Sequence, residues 1–461
     1  MNSSSLKASK PLKKSQETPV RVGMVSLGCP KTLVDSETIL GKLEGRSFEL
    51  VPSVADCDVA LLNTCAFIQD AQKESIDRIL ELIEMKKKRK IRAVVVMGCL
   101  VQRFPEELQK ELGEVDAFIG SGEYAKIQDV VERVAGGQRV VSVGEAGYLA
   151  TSAEARIALT PSHYRYLKIS EGCDHVCTFC TIPSFRGKHR SRTIDDVVRE
   201  ARMLIAQGAR EIILMGQDTT FFGRDLTGEF QLPRLLRELD QLDGDVWFRV
   251  MYAYPSCVTR ELMETLAGAK KICHYLDMPL QHASDAILTA MKRGITRRRT
   301  EDLIRTFREI VPDLAIRTTF ITGFPGETEA DFQELLGFIE ASRFDRLGVF
   351  TYSQEAGSPA GTMEGQVPEK VKQKRRDQAM RLQQKISFEK NREHVGKSFR
   401  VLVESRDAEN PRIWTGRTYM DAPEVDGSVL VRSDSDLEPG SFLDVRITAV
   451  REYDLVGEVQ V

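Results

Sequence analysis

No stretch of the 461-residue chain is apolar for the roughly 18–20 residues that a membrane-spanning helix needs. The longest apolar runs, such as Ala93–Met97, are the length of a strand. The first 19 residues are rich in Ser and Lys and have no apolar centre, which excludes a secretory signal and reads as a disordered tail over 1–19. Charge of one sign is not in excess. A net charge of −3 gives the chain no general pull toward nucleic acid or a membrane surface. The basic runs Lys86–Lys90 and Lys292–Arg299 lack interleaved aromatics, so they read as solvated helix ends rather than nucleic-acid platforms. No short internal repeat appears, which argues against a solenoid. No Ser–His or His–Asp arrangement of hydrolytic type stands out.

Cysteine, by contrast, is plentiful. Nine cysteines without an export signal argue against a disulfide framework and for metal binding or catalysis in a reducing, cytoplasmic setting. Their places follow the organisation of the chain, which changes pattern twice. Residues 20–137 alternate apolar strands (Val22–Leu27, Val59–Leu62, Ala93–Met97) with amphipathic helices. One is Asp70–Met85, with Ile76, Ile79, Leu80 and Ile83 expected on one face. This predicts a doubly wound parallel α/β domain. Residues 160–365 hold six strand–helix units, with strands at Tyr164–Ile169, Glu211–Met215, Val246–Met251, Tyr275–Met278, Ala315–Ile321 and Leu347–Tyr352. A charged connector helix, about Glu369–Glu393, follows. Six such units predict a partial (β/α)6 barrel with its chemistry at the C-terminal ends of the strands. Residues 393–461 alternate apolar and polar positions, as in Phe399–Val403 and Phe442–Val450, and predict a small antiparallel β-barrel.

Two cysteine triads stand out. Cys173, Cys177 and Cys180 fall within eight residues just after the first barrel strand. A CxxxCxxC loop can wrap three corners of an iron–sulfur cubane and leave one iron open to a ligand. Spacing alone leaves structural zinc as a competing reading, with His175 or His189 as fourth ligand. Cys29, Cys65 and Cys99 are far apart in sequence, but each directly follows a predicted parallel strand. All strands of a parallel sheet end on one edge, so these three thiols are expected to converge where doubly wound folds bind ligands. Gly28 and Gly98, each preceding a cysteine, suit a close backbone approach there. Cys57, Cys257 and Cys273 lack this placement and read as core cysteines.

Other segments speak more softly. Thr322–Glu327 (Thr-Gly-Phe-Pro-Gly-Glu) and Gly216–Asp218 follow barrel strands and could wrap a ligand or simply turn the chain. Asp277–His282 could line the barrel mouth. From Lys397 to Val461 there are 8 Lys or Arg against 13 Asp or Glu, a net of −5, which favours a basic partner over a phosphate backbone.

With both triads in place, the chain resembles the methylthiotransferase family of radical S-adenosylmethionine (SAM) enzymes from about residue 20 to the end. The motif around Cys173 carries most of the likeness. Within the family, Ser26–Lys31, Ile182–Gly187, Pro279–Ser284 and Gly416–Gly427 are similar to the branch that modifies an aspartate of a small-subunit ribosomal protein. The resemblance implies an N-terminal methylthiotransferase domain (20–137), a radical-SAM core with its connector helix (160–392) and a TRAM domain (393–461). It implies two 4Fe–4S clusters, with metal ligands Cys173, Cys177 and Cys180 on one and Cys29, Cys65 and Cys99 on the other, and SAM as co-substrate. The first cluster would reduce SAM, and the resulting radical would take hydrogen from the aspartate β-carbon. The second would deliver the sulfur that becomes a methylthio group. The implied partners are a basic ribosomal protein, free or on the ribosome, and an electron donor; no membrane is implied and direct nucleic-acid binding is not favoured. Three alternatives stand beside this: the same chemistry on a tRNA adenosine, a colourless zinc-bearing ribosome- or RNA-binding protein, and a radical-SAM enzyme of another outcome.

Overall fold

Val59–Thr64 and Ala93–Gly98 are buried at every residue, the mark of strands covered on both faces. The computed structural model describes residues 19–45 and 47–460, so the expected tail lies, apart from Pro19, outside the described residues. The two strands form the centre of a six-stranded parallel sheet. Its members are β1 (Val20–Ser26), β2 (Phe48–Val51), β3 (Val59–Thr64), β4 (Ala93–Gly98), β5 (Ala117–Gly120) and β6 (Val140–Ser142), in the order β2-β1-β3-β4-β5-β6. Helix Gln69–Lys87 packs Ile79, Leu82 and Ile83 inward, but Leu80 is 47% exposed, contrary to expectation. Leu80 lies about 100° round the helix from Ile79, whereas Leu82, three residues on, returns to the buried side.

The second sheet is built from β7 (Tyr164–Lys168), β10 (Glu211–Met215), β11 (Trp247–Val250), β12 (Ile272–Asp277), β13 (Ala315–Thr322) and β14 (Arg346–Thr351). Each strand pairs in parallel with the next in the chain, giving the open arc of a partial barrel. A two-stranded ribbon of β8 (Ser170–Glu171) and β9 (Arg190–Ser191) brackets the first cysteine loop. Strand alternation divides the arc's two faces. Leu167, Ile212, Leu214, Phe248, Val250 and Ile316 pack outward on the helices. Tyr166, Ile213, Trp247, Tyr275 and Ala315 face the other way, on the same side as the charged Lys168, Glu211, Arg249, Asp277 and Arg317.

The C-terminal unit is a closed barrel of β15 (Ser398–Arg406), β16 (Ile413–Arg417), β17 (Val429–Arg432), β18 (Phe442–Val450) and β19 (Leu455–Val459), in the order β15-β16-β17-β19-β18. It departs from the antiparallel expectation at one place, since β17 and β19 run parallel. Five strands cannot alternate direction all the way round a closed ring, so one pair must be parallel.

This barrel closes the inner face of the second sheet from below. Glu211, fully buried, is held by Arg249 and Arg417, each at 2.6 Å. Arg317 and Tyr275 reach Asp426, and Arg346 reaches Asp421. Asp421 and Asp426 therefore neutralise arginines inside the molecule, and the outward face of the last domain is less acidic than its residue count suggests.

Candidate functional site

Sheet register brings the first triad together. Thr64 of β3 is paired with Gly98 of β4, so Cys65 and Cys99 leave the sheet side by side. The Leu27 N–H donates to the Asn63 carbonyl at 2.9 Å and draws the exit of β1, with Cys29, to the same level. Two glycines make room. Gly28 has φ +93°, and a Cβ there would lie 2.7 Å from the Cys65 Cβ. Gly98 has φ +101°, and a Cβ would strike Asn63 and the Thr64 backbone. Burial pushes the Cys99 thiol up to about 12 and raises that of Cys65. Burial also works against a Cys29 thiolate, but Lys31, the Thr32 N–H and Arg186 outweigh it and hold its pKa below the usual thiol value.

The second triad sits at the C-terminal end of β7. The Cys173 N–H donates to the Gly187 carbonyl, the Ile182 N–H to the Cys180 sulfur at 3.4 Å, and Arg293 to the Cys177 sulfur at 3.4 Å. Burial raises Cys173 and Cys180 to about 12, and each feels the charge of its neighbouring thiols. Both histidines weighed as zinc ligands are engaged elsewhere. His175 stacks on Tyr254 with ring centroids 3.5 Å apart and meets Asp218 through Nε2 at 2.6 Å. His189 Nε2 pairs with the Ser191 hydroxyl at 3.0 Å. Cys257 is buried beside Cys177 and Tyr254, as the core reading expects, and its thiol lies within 4.8 Å of the His175 and Asp218 ligand atoms. Cys57 donates to the Val54 carbonyl at a sheet edge, and Cys273 is buried on the inner face of β12.

A buried ionic cluster joins the two triads. Arg186, six residues past Cys180, donates to the Cys99 sulfur from Nη2 at 2.9 Å and Nε at 3.2 Å. It also reaches Asp35 at 2.7 Å and Glu171 at 3.4 Å. Lys168 bridges the same two carboxylates. Burial alone would raise the Glu171 pKa, but Lys168 and Arg186 hold it well below the usual carboxylate range. Gln217, in the loop after β10, donates to the other Glu171 oxygen. Farther out, Arg103 of the first domain pairs with Glu355 of the second at 2.9 Å, both nearly unexposed.

Sequence reasoning missed Arg186, Arg293, Tyr254 and Lys31 as site residues. Arg293 belongs to a run expected to be solvated, yet it is 4% exposed and lies across the Tyr254 ring. Its signal was its position just past the helix whose preceding loop lines the barrel mouth, not its charge. In the Thr322–Glu327 loop, the Gly323 and Phe324 N–H groups are taken by the Glu327 carboxylate, which also pairs with Arg375 of the connector helix. A Cβ on Gly323 would come 2.2 Å from Lys372. His282 accepts the Ser284 N–H and is buried, a structural placement.

Two enclosed groups of three thiols, with N–H donors aimed at their sulfurs, fit iron–sulfur clusters better than isolated core cysteines. The comparisons with known proteins agree with this chemistry. Residues 167–339 match the family described as the radical SAM superfamily, 21–120 the uncharacterized protein family UPF0004, and 395–459 the TRAM domain. The ribosomal protein uS12 methylthiotransferase RimO of Pelotomaculum thermopropionicum is 46% identical over 439 residues, covering 95% of this chain and 99% of the relative. That of Geobacter sulfurreducens is 44% identical over 440 residues, covering 95% and 98%. A solved radical SAM methyltransferase, TsrM from Kitasatospora setae with tryptophan and a SAM analogue bound, aligns with TM-score 0.56 at 16% identity. The match covers 85% of this chain and 79% of that one, a likeness of fold alone.

Proposed function

The chain belongs to the RimO family of radical-SAM methylthiotransferases, and from that premise we propose that it places a methylthio group on the β-carbon of an aspartate in ribosomal protein uS12. SAM and an iron–sulfur cluster follow from the family. Our own reading is that there are two clusters: one on Cys173, Cys177 and Cys180, and one on Cys29, Cys65 and Cys99. The supporting observation is Arg186, which ends the short helix Ile182–Arg186 just after one triad and donates to a cysteine of the other. Sulfur insertion at an unactivated carbon needs a hydrogen-abstracting centre and a sulfur-delivering centre within reach of one substrate atom. A side chain that follows one triad in the chain and ends on a cysteine of the other fits such closeness.

A reduced cluster with SAM supplies the radical that breaks a C–H bond beyond the reach of ordinary acid–base groups. The chain's own residues position and enclose. Arg293 and the Ile182 N–H steady Cys177 and Cys180. The stacked His175–Tyr254 pair and Asp218 wall the mouth beside them. Arg186, Lys168, Asp35 and Glu171 lock the two domains against each other and exclude water from the space between the triads.

We divide the chain at 20–137, 160–392 and 393–461. We place the enzyme in the cytoplasm, with the ribosomal protein presented as a basic partner and a separate protein as electron donor. No helix among the described residues is long and apolar enough to cross a membrane. Cluster content tests the assignment. The anaerobically reconstituted protein should hold about eight irons, and the triple Cys→Ala variant of either triad about four. SAM cleavage should fail only without the Cys173 triad, and methylthiolation without either. Full iron content after loss of one triad would refute it.

A further inference from the structure

Lys31 lies two residues past Cys29, in the first turn of helix Pro30–Leu43, and its side chain crosses from the first domain to the second. Its ammonium rests 3.1 Å from the centroid of the Tyr252 ring, just past the C-terminal end of β11. Among the described residues it has neither a hydrogen-bond acceptor nor an ion-pair partner. An aromatic face attracts a cation but offers no oxygen to its three N–H donors.

The nearby acids are already engaged. Glu171 and Asp277 are close enough for their charges to act on Lys31. Yet Glu171 holds Lys168 at 2.7 Å and Gln217 at 2.5 Å. Asp277 holds Arg317 at 2.8 Å and the Tyr252 N–H at 3.1 Å. The platform under the ammonium is fixed. Tyr252 has φ +63°, a left-handed conformation for a side-chain-bearing residue. Asp277 on its N–H and the Thr219 N–H on its carbonyl hold it there.

We propose that Lys31 receives the side-chain carboxylate of the target aspartate. This rests on the function assigned above and adds the residue that selects the substrate's side chain. A carboxylate brings the acceptor oxygens that the ammonium lacks, in a site shielded from water where such a pair is strong. In aspartate the carboxyl carbon is bonded directly to the β-carbon. Seating the carboxylate on Lys31 therefore sets the reacting carbon beside Cys29 and over the mouth of the second sheet. An asparagine amide or a nucleobase offers no such charge.

The test uses anaerobic holoenzyme without reductant and uS12 carrying either Asp or Asn at the modified position. Wild type should bind the Asp form about ten- to a hundred-fold more tightly, the worth of a hydrogen bond to a charged partner. K31M should shrink that preference to about twofold or less, while K31R keeps most of it. Iron content checks that the clusters are retained. If K31M loses them, the wild-type ratio and K31R still decide the matter. Equal binding of both forms by wild type, or an undiminished preference in cluster-bearing K31M, overturns the role of Lys31 even where uS12 is methylthiolated. Failure of wild type to modify uS12 at all removes the assigned function and this inference with it.

Discussion

Replacing Arg186 with methionine keeps most of the side-chain volume and removes the cation that joins Cys99 and Asp35 of the first domain to Glu171 of the second. Arg186 is 5% exposed, and so are its partners to a similar degree. Its loss leaves Asp35 and Glu171 sharing Lys168 alone and strips the Cys99 sulfur of both N–H donors. Removing one member of a buried ion network costs about 3–5 kcal/mol, most of it the penalty of stranded charge. R186K retains the charge but not the fork, and should cost about 1–2 kcal/mol. The same change should lower the reduction potential of the cluster on Cys29, Cys65 and Cys99, because a cation and two donors that favour the more negative reduced state are gone. About 1.4 kcal/mol of difference between redox states is about 59 mV for a one-electron couple. Chemical denaturation of the metal-free protein measures the first effect. Potentiometric EPR, on protein lacking the Cys173 triad, measures the second. A destabilisation below about 1 kcal/mol together with an unchanged potential would refute the reasoning.

Three further outcomes follow from individual contacts. Gly28→Ala, strained at φ +93° and in collision with Cys65, should lose about half the bound iron by removing only the cluster on Cys29, Cys65 and Cys99, read by iron assay and EPR. Glu211→Gln, which leaves Arg249 without its carboxylate while Arg417 keeps Glu404 at 2.8 Å, should weaken docking of the C-terminal barrel by about 3–5 kcal/mol and speed its release in limited proteolysis. Burial, with Lys397 and Arg346 nearby, lowers the pKa of His394 to about 4. The unfolded chain therefore takes up this proton first. Stability should fall by about 1–3 kcal/mol as pH drops from about 6.5 to about 4, and His394→Gln should flatten that part of the melting-temperature profile.

The strands that carry the site are legible because buried parallel strands read as unbroken apolar runs. Val59–Thr64 and Ala93–Gly98 have no polar alternation to confuse them. The edge strands β2 and β6 and the inner strand β5 have only three or four residues each and leave no periodic trace. Leu80 misleads because it lies about 100° round the helix from Ile79, outside the face that Ile79, Leu82 and Ile83 share. The meeting of Cys29, Cys65 and Cys99 follows from direction alone, since parallel strands end together. What joins the domains does not. Arg186, Arg293 and Lys31 look like ordinary surface cations in sequence; only the packing of the first two domains engages Arg186 and Lys31, and Arg293 is buried within the second against Tyr254 and Cys177. The acidic count of the last domain misleads for the same reason, because Asp421 and Asp426 answer arginines of the second sheet.

The most direct test of the function offers uS12 and bulk tRNA in parallel to the reconstituted enzyme, with SAM and reductant under anaerobic conditions, and follows both by mass spectrometry. The account predicts a methylthio group on one aspartate of uS12, absent when either triad is replaced by alanine, and no change in the tRNA. A methylthiolated tRNA base with unmodified uS12 would contradict it.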